Sequence, residues 1–246
     1  YDNVKYIDHS QFKDNLTFDI VISSRSVFPF FSNNPYSHMC MRSKYKAVWM
    51  HDTFCEGDQH IETMINQGFI DELFTLSDFH STYVLNCDHG SKRNFEVLKH
   101  KVFQTRNGAV KYLDNVDTNK KDKNHFVFNS SVTKGLTPLL EDVWPEVKKH
   151  IKDAKLTVIG GFYRFKEGSE PDEQEKSLRR YMSSTPDELD VTFTGIISQR
   201  EIADILSTAG FMLYPTQFPE TFGISTLESF LYKTPVITCN FGALNE

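Results

Sequence analysis

Glu220 and Glu228 flank Phe222 and Gly223 in "PTQFPETFGISTLE" (residues 215–228), directly after the short apolar run "FMLY" (211–214). A strand hands over to a helix at this point. A helix start offers free N–H groups and the positive end of its dipole, which suit an anion. Carboxylates accept hydrogen bonds from hydroxyls. The pair around such a turn therefore fits a ligand carrying both phosphate and sugar hydroxyls. For spacing alone the commoner reading is structural, with Glu220 complementing the helix dipole and Glu228 solvated.

Other residues of this kind fall at similar places. In "NSSVTKG" (129–135) Lys134 stands beside Gly135, a cation where backbone can approach a diphosphate closely. Ser130 and Ser131 can donate to the same phosphates or cap a helix. Gly161 ends "KLTVIGG" (155–161) and Gly195 ends "DVTFTG" (190–195). In the first half, "WMHDTFCEGDQH" (49–60) puts His51 and Asp52 at the end of another apolar run. His51 reads either as a site residue or as a hydrogen-bonded strand-end residue. A metal site from His51, Asp52, Glu56, Asp58 and His60 is disfavoured by irregular spacing and the lack of a helix beneath it.

The elements that must position these residues alternate. Strands are expected at 18–23, 46–51, 72–77, 101–106, 126–130, 155–161, 190–195, 211–215 and 235–240. Helical spacing falls at 61–70, 78–87 (Ser77 as cap), 138–151 (kinked or split by Pro145), 198–209 (Ser198 as cap) and 223–233. The acidic stretch 167–177 reads as a solvated insertion. Such alternation predicts parallel sheets covered by helices, with ligands beyond the carboxyl ends of the strands. The polar run 111–125 shows no buried face and is the expected linker. It separates a Rossmann-like domain over 1–110 from another over 126–246. The candidates of the second half all cluster on one sheet edge.

Composition narrows the function. The 246 residues include 39% apolar and 24% charged, and the net charge of −6 argues against a dominant nucleic-acid surface. Cys40, Cys55, Cys87 and Cys239 lack zinc-ribbon spacing and read as reduced thiols of a cytoplasmic protein. No apolar run approaches the ~20 residues a membrane span needs.

The phrase "YPTQFPETFGISTLESFLYKTPVITCNFGALNE" (214–246) resembles the C-terminal signature of the retaining, GT-B-fold glycosyltransferases of family 4. Pro215, Thr216, Glu220, Phe222, Gly223, Leu227, Glu228, Pro235, Val236 and Ile237 match it, and Gly242 and Glu246 do so more loosely. "TRNGA", "SSVTKGLTPLLEDVWPEVKKHIKDAKLTVIGG" and "VTFTGIISQREIADILSTAGFMLYP" extend the likeness over roughly residues 100–246. The resemblance implies two Rossmann-like domains and transfer of a sugar from a UDP-, GDP- or ADP-linked donor with retention. Neither metal nor cofactor is expected. It implies that Glu228 holds the donor's ribose and Glu220 the transferred sugar. Backbone amides at Phe222, Gly223 and Ile224 would face sugar and phosphates. Ser131, Lys134, Gly161 and Gly195 complete the donor side. The family's usual Arg five residues before Lys134 is Asn129 here, which lowers the charge available for a diphosphate.

In the first half "HD" is similar to the family's cleft histidine, which gives His51 a role in positioning acceptor or donor sugar. The family's Gly-rich first loop is not found in this sequence and "VITCNFGALNE" (236–246) stops where another helix would be expected, so both domains are expected to be incomplete at the chain ends. The acceptor, whether glycan, lipid or protein, is left open. The missing N-terminal region could bring the protein to a membrane surface. Two alternatives stand beside the transferase: a GT-B sugar-nucleotide epimerase, and a degenerate module that binds nucleotide-sugar without turnover.

Overall fold

The computed structural model describes residues 5, 6, 8, 17–31, 42–86, 98–160 and 173–246. Gly161, Cys40 and Cys87 lie outside the described residues. The chain divides into two compact units, Tyr1–Asn107 with Glu246 and Gly108–Asn245. Each is built on an all-parallel sheet with helical connections.

In the first unit, β1 (Ile20–Ser24), β2 (Tyr45–Trp49), α1 (Ile61–Asn66), β3 (Glu72–Thr75), α2 (Asp78–Asn86) and β4 (Val102–Gln104) follow in order, and the strands pair as β1-β2-β3-β4. Side chains alternate across a strand. Val21, Val48, Leu73 and Val102 fall on one face and pack with Ile61, Met64 and Ile65 of α1 and Val84 of α2. Ser77 opens α2 as read from the sequence, its Oγ accepting from His80 N at 2.9 Å.

The second unit holds β5 (Asp122–Asn129), α3 (136–150), β6 (Lys155–Ile159), α4 (Glu173–Ser184), β7 (Val191–Phe193), α5 (Gln199–Thr208), β8 (Ala209–Tyr214), α6 (Ile224–Leu231) and β9 (Val236–Thr238). Its sheet runs β7-β6-β5-β8-β9. Strand order therefore reverses between β5 and β8, and a crevice opens beyond the ends of strands at such a switch point. Phe126, Val127 and Phe128 are all buried, as expected of a central parallel strand covered on both faces. Trp144 is fully buried against them, and its indole donates to Leu189 O at 2.7 Å.

Three local features differ from the sequence reading. β5 begins at Asp122 rather than 126, because its solvated first residues are polar and carry no apolar signal. The expected linker is packed: Leu113 and Val116 join the core, and Tyr112 N donates to the Tyr232 hydroxyl at 2.9 Å. Lys121 Nζ donates to Leu206 O (3.0 Å), Ala209 O (2.9 Å) and Thr234 Oγ1 (2.8 Å), tying the end of α5 to the approach to β9. The far part of the acidic stretch is helical within α4, whose Tyr181 hydroxyl donates to Glu141 at 2.7 Å. The helical run through Pro145 is interrupted just before it by a π stretch. Leu139–Val143 forms a π turn in which Trp144 N donates to Leu139 O, absorbing the backbone donor that proline lacks. No helix among the described residues is long and apolar enough to cross a membrane.

Candidate functional site

Beyond the carboxyl ends of β5, β6 and β7 lies a cavity of about 260 Å³. Ser131, Lys134, Gly195, Ile224 and Glu228 line it, so five of the residues singled out in the sequence converge there. Asn129, Ser130 and Ser225 line it too. Glu220, Phe222 and Gly223 are not part of the lining.

Two glycines set its shape. Gly135 has φ +104°, and a Cβ there would stand 2.7 Å from Pro215 O, so the 129–135 loop can lie against the 215–223 loop only without a side chain. Gly223 has φ +82° and caps α6 with no side-chain bond to the first turn. A Cβ at Gly223 would meet Leu244 at 2.8 Å. The first turn of α6 therefore opens toward the cavity through Ile224 and Ser225 with no cap competing for its N–H groups. Gly195 pairs with Gly160 through an isolated antiparallel bridge, joining the loops after β6 and β7.

The two glutamates of the opening phrase sit in different surroundings. Glu228 projects from α6 and accepts from Asn129 Nδ2 at 3.3 Å. Burial raises its pKa, and the Asn129 bond opposes that rise. Glu220 is buried, and its Oε1 accepts from Lys134 Nζ at 2.6 Å and from the Tyr214 hydroxyl at 2.5 Å. Lys134 also lies 4.4 Å from the centre of the Phe218 ring. The cation expected to meet a diphosphate is thus engaged with the first glutamate. Tyr214 and Phe218 carried no signal in the sequence, since one closes an apolar strand and the other sits in a turn.

His51 belongs to the first unit, where its ring rests 4.8 Å from that of Trp49. Burial and then the charge of Arg25 lower its pKa, against a smaller raising effect of Asp52. Asp52 is paired with Arg25. The sequence reading passed over His80, which is fully buried. Leu76 N donates to its Nδ1 at 3.2 Å, which leaves Nε2–H to donate to Asp52 O at 2.9 Å. Burial pulls the His80 pKa down to about 4. No group of three or more His, Cys, Asp or Glu among the described residues is placed to hold a metal ion.

A search of curated proteins returned no match. Among solved structures, TarM superposes with a TM-score of 0.61 at 16% identity, covering 91% of this chain and 42% of its own. Anabaena Alr3699/HepE in complex with UDP and glucose gives 0.61 at 14% identity, covering 93% and 61%. The catalytic domain of starch synthase IV from Arabidopsis thaliana, bound to ADP and acarbose, gives 0.64 at 11% identity, covering 92% and 57%. These neighbours are GT-B glycosyltransferases, and the likeness is one of fold, mixed α/β with parallel sheets. The chain spans between 42% and 61% of their lengths. The family profile described as "Glycosyl transferases group 1" matches residues 123–246, half of the chain. The protein therefore belongs to the group 1 glycosyl transferases.

Proposed function

We propose that the second unit binds a nucleotide-sugar, UDP-, GDP- or ADP-linked, and that the protein transfers its sugar to an acceptor with retention of configuration. The observation that carries this reading is the convergence of Lys134, the uncapped start of α6 and half-buried Glu228 on one cavity at the switch point of the sheet. Breaking a glycosyl–phosphate bond builds negative charge on the departing diphosphate. Lys134 and the N–H groups at the start of α6 are placed to stabilise that charge without a metal ion. Glu228 accepts from the ribose hydroxyls. Glu220 accepts from the transferred sugar once Lys134 turns to the diphosphate. His51, whose pKa burial lowers, takes the role of positioning acceptor or sugar. Residues 1–110 form the acceptor side and 126–246 the donor side. Retention is supported by the phrase ending in "ETFGISTLE" rather than by any contact. Cysteines without zinc-ribbon spacing suit a cytoplasmic setting.

Binding without turnover is the second reading. Asn129, where the resembling family carries Arg, and the engagement of Lys134 by Glu220 both favour it. The chain incubated with UDP-glucose, GDP-mannose and ADP-glucose is expected to release nucleoside diphosphate from one of them, with release lost in Glu228→Ala. Binding without release would leave only the second reading, and neither binding nor release from all three would end both.

A further inference from the structure

Tyr214 closes β8 and is 1% exposed, with its ring edge against Phe128 at a centroid distance of 6.2 Å. Phenylalanine would serve that packing equally well, so the hydroxyl needs its own explanation. It donates to Glu220 Oε1 at 2.5 Å and accepts from Ser130 Oγ at 3.2 Å. Lys134 Nζ reaches the same Glu220 oxygen at 2.6 Å. A chain of contacts therefore runs from one cavity-lining residue, Ser130, through buried Tyr214 and Glu220 to another, Lys134.

The main chain of Glu220 is fixed independently. Its N–H donates to Phe218 O at 2.8 Å and its carbonyl accepts from Ala243 N at 2.9 Å. What remains to be set is the carboxylate. A diphosphate in the cavity competes for Lys134, and a buried carboxylate that loses its cation is costly unless another donor stays on it. The tyrosine hydroxyl is that donor. Burial, followed by the charge of Glu220 and its hydrogen bond, pushes the phenol pKa upward, so the proton stays on the tyrosine at any working pH.

We propose that Tyr214 is a positioning residue that holds Oε1 of Glu220 when Lys134 leaves it, so that the other carboxylate oxygen is presented to a hydroxyl of the donor's sugar. The inference rests on the nucleotide-sugar reading of the cavity. It assigns the selectivity for sugar over bare nucleotide to a residue that does not line that cavity. Tyr214 then contributes to the sugar part of the affinity and not to the nucleotide part.

The test is the ratio of two dissociation constants, nucleoside diphosphate over nucleotide-sugar, measured by calorimetry on the whole chain. UDP with UDP-glucose, GDP with GDP-mannose and ADP with ADP-glucose are tried in turn, and the pair that wild type binds is kept. Tyr214→Phe is expected to lower the ratio about tenfold while the diphosphate alone binds within about twofold of wild type. A purely structural hydroxyl would weaken both ligands alike and leave the ratio in place. Glu220→Gln combined with Tyr214→Phe should lose no more of the ratio than Glu220→Gln alone. Additive losses would show that Tyr214 acts elsewhere. If Tyr214→Phe does not fold, Ser130→Ala removes the bond donated to the phenol and should lower the same ratio about twofold; an unchanged ratio overturns the proposal. Wild type binding none of the six ligands refutes the nucleotide-sugar reading itself, whereas wild-type binding with an unchanged ratio in Tyr214→Phe refutes only the inference.

Discussion

Both sheets place charged residues in the loops at the ends of their strands, yet the two edges use them differently. In the first unit these groups satisfy one another. Arg25 pairs with Asp52, and His80 bridges Leu76 N and Asp52 O with both ring nitrogens committed. In the second unit the corresponding edge keeps capacity in hand. Glu228 lines a cavity with one long 3.3 Å bond from Asn129, and α6 starts without a side-chain cap. A titratable group whose hydrogen bonds are all spent internally acts as a strut. One held partly desolvated beside a cavity, with acceptor sites left over, is equipped to bind. Residue type at a strand end does not separate these cases; the partners do.

The comparison can be broken from either side. The largest effect is expected from Gly135→Ala, which places a Cβ 2.7 Å from Pro215 O at a positive φ. It should destabilise the second unit by about 3 kcal/mol, read by urea unfolding with hydrogen exchange resolved by segment. A loss under about 1 kcal/mol would mean that the two loops are not held as closely as described.

His80→Ala should cost the first unit about 3 kcal/mol, since it opens a buried space and orphans Leu76 N–H. The same residue sets an acid limit. Its folded pKa of about 4 lies below its unfolded value of 6.5, so above pH 6.5 both states are neutral and nothing is lost. Between pH 6.5 and about 4 only the unfolded state takes up the proton, and this draws off about 3 kcal/mol. Hydrogen exchange at pH 7.5 and at acidic pH should show this loss in the first unit of wild type and not in His80→Ala. An equal acid loss in both proteins would assign it elsewhere.

Lys134→Met keeps a side chain over Phe218 but leaves Glu220 with Tyr214 alone. A cost of about 2 kcal/mol to the second unit follows, reduced from that of a fully buried pair because Lys134 is partly exposed. Urea unfolding is the check, and an unchanged midpoint would show that the ion pair contributes nothing. Loss of nucleotide affinity in this variant therefore mixes binding with stability, which makes Lys134 a poor test of the site.

The smallest effect concerns Asn129. In the proposed role Glu228 accepts from ribose hydroxyls more strongly when ionised, and its pKa is raised, so affinity should fall as pH drops toward it. Asn129→Ala removes the bond that opposes the rise and should move this fall to higher pH, with less than about tenfold change at pH 8. Calorimetric titrations across pH measure it, and superimposable profiles would contradict it.

Much of this was legible in the chain. Apolar runs marked the central strands, because residues covered on both faces leave no polar alternation, and Ser77 and Ser198 announced the starts of α2 and α5. The loops gathered on one edge of the second sheet could be placed by counting strands. What escaped were polar groups with at least one partner far along the sequence. Tyr214 reads as the end of an apolar run, and its hydroxyl matters only because Ser130 and Glu220 arrive beside it. Lys121 looks like linker, yet its three acceptors come from residues 206, 209 and 234. His80 looks like one more polar residue of a helix until Asp52 is brought to it. Local pattern records burial, whereas these contacts depend on topology.

The most direct test of the central claim is calorimetric titration of UDP, GDP and ADP into wild type and Glu228→Ala at pH 8, with thermal unfolding of both. Glu228 lines the cavity and projects from a helix whose core contacts do not depend on it. Wild type is expected to bind one of the three, and Glu228→Ala to bind it about 10- to 100-fold more weakly with nearly the same Tm. Equal affinity in the two proteins, or a large fall in Tm with affinity retained, would contradict the placement of a nucleotide in this cavity.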